Sequence, residues 1–504
     1  MPHDVDPSFL ALGFRTLSQA ALEVASRAGA EHADFRFERL RTQDISSRDG
    51  EIQGVADGTE TGYAVRVLLD GVWGFASDVV LSTERAAATA ERALEVARVA
   101  AAMTSRRVQL AAEPVHADQT WVSAYEIDPF TVDLAAKTAL LTGWTGRLVG
   151  DGPVAHAVAH LAQVHENKFY ADLAGTSTTQ QRVRLMTQVE VFGSDTRRGV
   201  ADSMRTTAPP VGRGWEYLGD EHVDWDADLA GLPGLLADKL AAPSVEPGRY
   251  DLVIHPSNLW LTIHESIGHA TELDRALGYE ANYAGTSFAT PDQLGSLRYG
   301  SDLMHVTGDR TVEHGLATIG FDDDGVAGQT WDLVRDGTLV GFQLDRAMAH
   351  TYGAELNDGR SNGCAYADSP GHIPIQRMAN VSLQPGAEDR EVGDLIKDVE
   401  HGLYVVGDRS WSIDMQRYNF QFTGQQFHLI RDGELAGQVR DAAYQATTTD
   451  FWGSMDAVGG PSTYELGGAF NCGKAQPGQV AAVSHGCPVA RFRDVNVLNT
   501  SESE

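Results

Sequence analysis

Asp-Gly pairs set between runs of alternating apolar and polar residues recur through this chain and dictate much of its fold. Such a pair accepts positive φ at both positions and turns a strand back on its neighbour in a tight hairpin. Asp49-Gly50 follows ADFRFERLRTQDISSR, where Phe35, Phe37 and Leu40 mark a strand, and Asp70-Gly71 centres YAVRVLLDGVWGFASD. The pair returns in TIGFDDDGVAG, DLVRDGTLVGFQLD and NFQFTGQQFHLIRDGELAG, and QVAAVSHGCPVARFRDVNVL alternates without it. Antiparallel sheet is the expected main material.

Helical spacing is confined to a few places. Leu10, Phe14, Leu17, Ala21 and Val24 recur at helical intervals, predicting one helix from Pro7 to Arg27 that Gly29 stops. Ser82 is placed to cap an Ala-rich helix running towards Ala102, and VDLAAKTALLTGW predicts another. The fold class that follows is α+β. An N-terminal α/β domain covers residues 1–225 and ends in the Gly-, Pro- and acid-rich run APPVGRGWEYLGDEHVDWD. A short helix and a turn from Pro243 to Gly248 then lead to the strand YDLVIHP, opening a β-rich domain over 226–504 that carries one key helix. No fixed-period repeat supports a solenoid or propeller.

Composition narrows the function. Seventy acidic residues against 39 Lys plus Arg give a formal net charge of −31, which repels phosphate backbones and argues against nucleic acid. Three cysteines are too few for a disulfide scaffold, and 504 residues bury a large core without a structural metal. With no leader-like start and no long apolar run, the expectation is a cytoplasmic protein with no membrane partner.

The sharpest chemical feature is LTIHESIGHATELD, with His264, Glu265 and His269. In the zinc helix HExxH, histidines four apart share one face, about 400° of turn. Here they are five apart, about 500°, and on a regular helix the rings diverge by roughly 140°. They meet at one metal only if the helix is distorted, and Gly268 is a place for that near Ser266 to His269, with a π-bulge as one form. Two histidines need a third protein ligand to leave one position open, and Glu265 is then the base that takes a proton from water and passes it to the leaving amine. The alternative is a pair of satisfied core or surface histidines. His165-Glu166, in VHENKF, has no second histidine at the right distance and is assigned no function.

For the third ligand the sequence offers Cys472, Cys487, Cys364, Glu272 and Asp274. Cys472, in the Gly-rich GGAFNCGKAQPGQV, is preferred slightly, with Lys474 near enough to favour a thiolate. Buried inert thiols are the plain alternative for all three cysteines. A cysteine nucleophile built from Cys487 and His485 is a competing enzyme, since residues two apart on a strand face the same way.

HESIGH at 264–269, YAVRVLLDGVWGFASD at 63–78 and NCGKAQPGQ at 471–479, with DDDG at 322–325, GRSNG at 359–363 and HGLYVV at 401–406, together resemble the TldD/PmbA family of modulator-of-gyrase proteases, in its metal-bearing TldD-type branch. The resemblance implies a zinc peptidase with His264, His269 and Cys472 on Zn2+ and Glu265 as the catalytic residue. It implies a heterodimer with a metal-free TldE/PmbA-like sister, or a homodimer, and substrates that are unfolded or extended peptides, modified precursors included. The alternatives it leaves are a noncatalytic partner or binding subunit and a zinc hydrolase of nonpeptide amides. DRSWSIDMQRYNFQFTGQQFHLIRDG departs from the family pattern, being bulkier at Trp411, Met415, Arg417 and Tyr418 where the family is Gly-rich. Strands near 318–345 and 418–430 are the expected edge for an extended peptide.

Overall fold

The computed structural model describes residues 3–219 and 222–501, so Asp220 and Glu221 of the run that closes the first domain lie outside it. A seven-stranded sheet organises the N-terminal half. β1 (His32–Arg48), β2 (Glu51–Leu69) and β3 (Val72–Asp78) form a meander turned at Asp49-Gly50 and Asp70-Gly71, whose four φ angles lie between 51° and 85°. β4 (Gln119–Val122), β5 (Val154–Asp172), β6 (Ser177–Asp195) and β7 (Val200–Arg205) complete it in the order β3-β2-β1-β5-β6, with β4 and β7 both on β6.

The single helix expected from Pro7 to Arg27 is instead two, α1 (Pro7–Leu10) and α2 (Phe14–Arg27), because Gly13 takes φ +67° between them. The break leaves Leu10 in solvent and buries Phe9. α2 packs against α3 (Thr83–Ala101) over β1–β3, and the Ser82 hydroxyl caps α3 by accepting from the Arg85 N–H. Ala86, Ala90, Ala93 and Ala97 of α3 are buried, and a Cβ on Gly74 would stand 1.9 Å from the Ala93 carbonyl oxygen. Small residues on both surfaces therefore set the close approach of helix and sheet. α4 (Leu134–Leu148) and α5 (Trp225–Ala241) cover the far half, where Trp144 stacks on Trp225 at 5.3 Å. α5 is 17 residues long rather than short, and it packs with the N-terminal core although it begins at residue 225.

From β8 (Gly248–Ile254) onward the chain is mostly strand. β9 (Val306–Asp309), β10 (Thr330–Arg335) and β11 (Thr338–Leu339) precede a ribbon of β12 (Ala365–Tyr366) and β13 (Ile375–Gln376), and β14 (Asn380–Leu383) returns to pair β9. β15 (His401–Ile413), β16 (Asn419–Arg431), β17 (Glu434–Val439), β18 (Ala442–Thr447) and β19 (Met455–Val458) follow. β20 (Glu465–Lys474) and β21 (Gln479–Cys487) form a separate two-stranded ribbon before β22 (Ala490–Asn499). The order β15-β8-β22-β18-β16 closes on itself, because β15 also pairs β16, and the result is a barrel cored by Leu252, Leu403, Phe420, Phe422, Tyr444 and Phe492. This closure overturns one expectation: β10 is flanked by β9 and β11, and β16 by β15 on one side and β17 and β18 on the other, so neither 318–345 nor 418–430 supplies a free regular strand edge. The helix Arg346–Leu356 was not expected; only Met348, Ala349 and Gly353 of it are buried, too few for a clear apolar period.

The two halves meet across charge. Lys168 Nζ on β5 reaches Asp323 Oδ2 at 2.9 Å, and Arg66 on β2 bonds Asp324 at 2.5 Å, all four buried. Glu166 is taken up by Arg182 and Arg184 in the same layer. Among the described residues no helix is long and apolar enough to cross a membrane.

Candidate metal centre

α6 (Pro256–Ile263) starts directly after β8, and its continuation changes pitch. His264–Gly268 form one π turn, closed by the His269 N–H donating to the His264 carbonyl at 3.0 Å. The wider turn brings the two rings to the same side, with centroids 4.6 Å apart. The distortion demanded by the five-residue spacing is thus present, starting at His264 itself. Carbonyls displaced from helical pairing need other donors. Tyr299 Oη donates to the Ser266 carbonyl at 2.5 Å and Gln343 Nε2 to the Gly268 carbonyl at 2.8 Å. Gly268 earns its place by proximity rather than by backbone freedom: a Cβ there would lie 2.6 Å from Met378 Sδ.

The ligand atoms of His264, His269 and Cys472 all lie within 4.8 Å of one another, and the three residues are buried. Cys472 Sγ is 3.6 Å from His269 Nε2. Each Nδ1 is engaged elsewhere: that of His269 with Glu272 Oε2 at 2.8 Å, that of His264 with His485 Nε2 at 2.7 Å. His485 Nδ1 faces the Val381 carbonyl at 2.8 Å, which can only accept, so His485 carries its proton there. Its Nε2 then accepts from His264 Nδ1–H, and the Nε2 lone pair of His264 stays free for a cation. Glu272 fixes the same tautomer in His269.

The electrostatics agree. Burial pushes His264 well below the ordinary imidazole value and His269 down to about 3, so both rings are neutral, as ligation requires. Burial also pushes the Cys472 thiol up to about 11, and a bound cation is what would make it a thiolate. For Glu265 burial raises the carboxyl, opposed chiefly by the charge of Arg417, whose Nη1 donates to Oε2 at 2.6 Å. Two neutral imidazole nitrogens and a thiol converging in a buried site, each ring held from behind, fit a cation of borderline softness.

Other sequence candidates are placed away from this point. Glu272 also takes Lys474 Nζ at 3.1 Å and Arg275 Nε at 3.3 Å, while Asp274 takes Lys474 Nζ at 2.7 Å. Lys474 therefore pairs with carboxylates, not with the Cys472 sulfur. Cys487 Sγ faces the Pro256 carbonyl at 3.8 Å, and His485 is spent on His264 and Val381, so the cysteine–histidine nucleophile is absent. Cys364 is buried outside the cluster. Arg417 and His485 are the residues whose positions the sequence did not disclose. Beside the centre opens a cleft of about 240 Å³, lined by Trp260, Asp408, Trp411 and the Glu465–Asn471 stretch of β20. Among the described residues β20 pairs with β21 alone, leaving its other edge without a strand partner, and Glu465–Asn471 of β20 line the cleft.

Residues 247–499 match the family profile described as the PmbA/TldA metallopeptidase C-terminal domain, and residues 33–97 match that of domain 1. A metalloprotease of Methanothermobacter thermautotrophicus is 28% identical over 93% of this chain and 96% of its own length. A zinc metalloprotease TldD homolog of Saccharolobus solfataricus is 20% identical over 94% of this chain and 98% of its own. Among solved structures, a protein described as a modulator of a DNA gyrase from Thermotoga maritima superposes with TM-score 0.75 at 15% identity, covering 96% of this chain and 100% of that one. TldE from Thermococcus kodakarensis superposes with TM-score 0.72 at 16% identity, over 95% and 99%. The two structures bear on fold alone.

Proposed function

Since the chain belongs to the PmbA/TldA, or TldD/PmbA, metallopeptidase family, we propose that it is a zinc peptidase acting on unfolded or extended peptides, modified precursors among them. The observation that carries this reading is the donor separation at the centre. Nitrogen and sulfur bonds to zinc of about 2.0 and 2.3 Å, at a tetrahedral angle, separate the two donors by about 3.5 Å, and Cys472 Sγ and His269 Nε2 stand 3.6 Å apart. His264, His269 and Cys472 would hold the ion. Zinc bound there would supply Lewis acidity towards a peptide carbonyl and towards water.

The chain's own groups do the rest. Glu265 has Oε2 tied to Arg417, and Oε1 would take the proton of the attacking water and later deliver it to the leaving amine. The free edge of β20 runs to Cys472 and would hold an extended peptide by its backbone, which tolerates many sequences. We place the protein in the cytoplasm, working with a metal-free TldE/PmbA-like sister or as a homodimer.

The test is zinc content and cleavage of unfolded peptides, alone and with the sister protein. Glu265→Gln should keep zinc and lower kcat by about 10³-fold. Cys472→Ser should lower zinc occupancy. Native-like cleavage by Glu265→Gln would remove Glu265 as the base, and unchanged zinc in Cys472→Ser would send the third ligand elsewhere.

A further inference from the structure

Arg417 sits where the proposed reaction moves charge. It lies in the link between β15 and β16, with φ +63°, a conformation uncommon for a residue with a side chain. The link is tied down around it. The Arg417 N–H donates to the Asp414 carbonyl at 3.1 Å, Asp414 Oδ1 accepts from the Tyr418 N–H at 2.8 Å, and Thr448 Oγ1 donates to the Arg417 carbonyl at 2.8 Å. Met415 and Gln416 pair by their carbonyls with the N–H groups of Thr286 and Phe288. Backbone strain held this firmly serves a geometry, and the geometry delivered is a guanidinium on the base. Nη1 donates to Glu265 Oε2 at 2.6 Å and Nη2 to the Ala284 carbonyl at 3.2 Å, while Nε–H is buried with no partner.

We propose that Arg417 is the positioning residue of the base: it fixes one oxygen of Glu265 so that the other meets the reacting water. This rests on the peptidase reading of the same site. The balance is simple. A water O–H bond breaks, its proton goes to Glu265, the water oxygen bonds the peptide carbon, and the carbonyl electron pair moves to oxygen. The transfer neutralises the carboxylate that Arg417 pairs with, so what the pair supplies is geometry: Oε2 is held and Oε1 is aimed before the proton moves. A base already held in the reacting direction spends less of the barrier on orientation, which raises kcat without tighter substrate binding.

The experiment compares zinc-loaded native protein with Arg417→Ala, Arg417→Lys and Arg417→Gln on one unfolded peptide. It reads zinc content, KM and kcat, with and without methylguanidine. For Arg417→Ala we expect native zinc content, KM within about threefold, kcat lower by about 10²-fold, and a partial return of kcat with methylguanidine. Lys should retain more kcat than Gln, since only Lys brings a charge. A kcat equal to or above native in Arg417→Ala would make the pair a passive or restraining contact and overturn the proposal. So would a loss in all three variants that no methylguanidine relieves. Native protein that carries zinc and cleaves nothing would fell the peptidase reading itself, an outcome distinct from any difference among variants.

Discussion

At the scale of single residues, the candidate centre is framed by groups outside the His264, His269 and Cys472 cluster. The spacing marked His264 and His269 as residues that a distorted helix could bring together, while Cys472 stood only slightly ahead of its rivals until the family resemblance singled it out, and the structure gathers these three. Glu272 was weighed only as a lesser ligand candidate and His485 only as a possible partner of Cys487, whereas the fold sets them behind His269 and His264. His485 comes from β21, 221 residues beyond the ring it serves, and the pairing of β21 with β20 and its hydrogen bonds to β14 bring it there. Its service can be tested without emptying the core. His485→Phe keeps a ring parallel to Trp260, from which the imidazole is 6.3 Å, but removes the acceptor for His264 Nδ1–H. His264 is then free to turn or change tautomer, and zinc affinity should fall by about 10- to 100-fold in competition with a chromophoric chelator. Undiminished affinity would mean that α6 and the π turn alone orient His264.

At the scale of elements, turns were read better than helices. Asp49-Gly50, Asp70-Gly71, Asp336-Gly337 and Asp432-Gly433 all take positive φ at both positions, a local demand that two residues express by themselves. The break at Gly13 and the helix Arg346–Leu356 escaped because what each buries is decided by distant neighbours. α5 shows the energetic side of this. Its Lys239 is buried against β7, with Nζ donating to the Ser203 carbonyl at 3.1 Å and near Asp202 at 3.3 Å. Burial, then the charge of Arg409, drives the ammonium from 10.5 down to about 8. Between those values the unfolded chain holds the extra proton, so this group makes stability rise with pH from about 8 towards 10.5, and below 8 its full cost is present. The gap corresponds to about 3 kcal/mol. Lys239→Met should therefore gain on the native protein at pH 7 relative to pH 10, in urea titrations at both. A stability difference that stays constant across that window would show that Lys239 is not desolvated as its surroundings require.

At the scale of the whole molecule, the cleft needs both halves. Met186 and Arg205 of the N-terminal sheet line it opposite Asp408 and Trp411 of the barrel, and Arg205 bonds Asp408 across it. What keeps the halves in register is a buried layer of ions, Arg36, Glu38, Arg66 and Lys168 against Asp323 and Asp324. Three consecutive acids in a chain of net charge −31 give no hint that two of them, Asp323 and Asp324, insert among cations, and Lys168 lies 155 residues from the carboxylate it binds, so this layer was beyond reach of local reading. Such a layer adds little net stability when complete, but breaking it is costly because a charge is left buried and unpaired. Asp323 accepts at once from Lys168 Nζ and from the Ala367 N–H at 2.7 Å. Asp323→Ala should cost about 3–5 kcal/mol, and because the damage is confined to the contact between halves, the urea transition should broaden or split as each half unfolds on its own core. Adding Lys168→Met removes the stranded ammonium, so the double variant should lose less than the sum of the two single losses. If Asp323→Ala unfolds in one transition at the native midpoint, the ion layer does not hold the halves, and other contacts between them, such as Arg205 with Asp408, must do so instead.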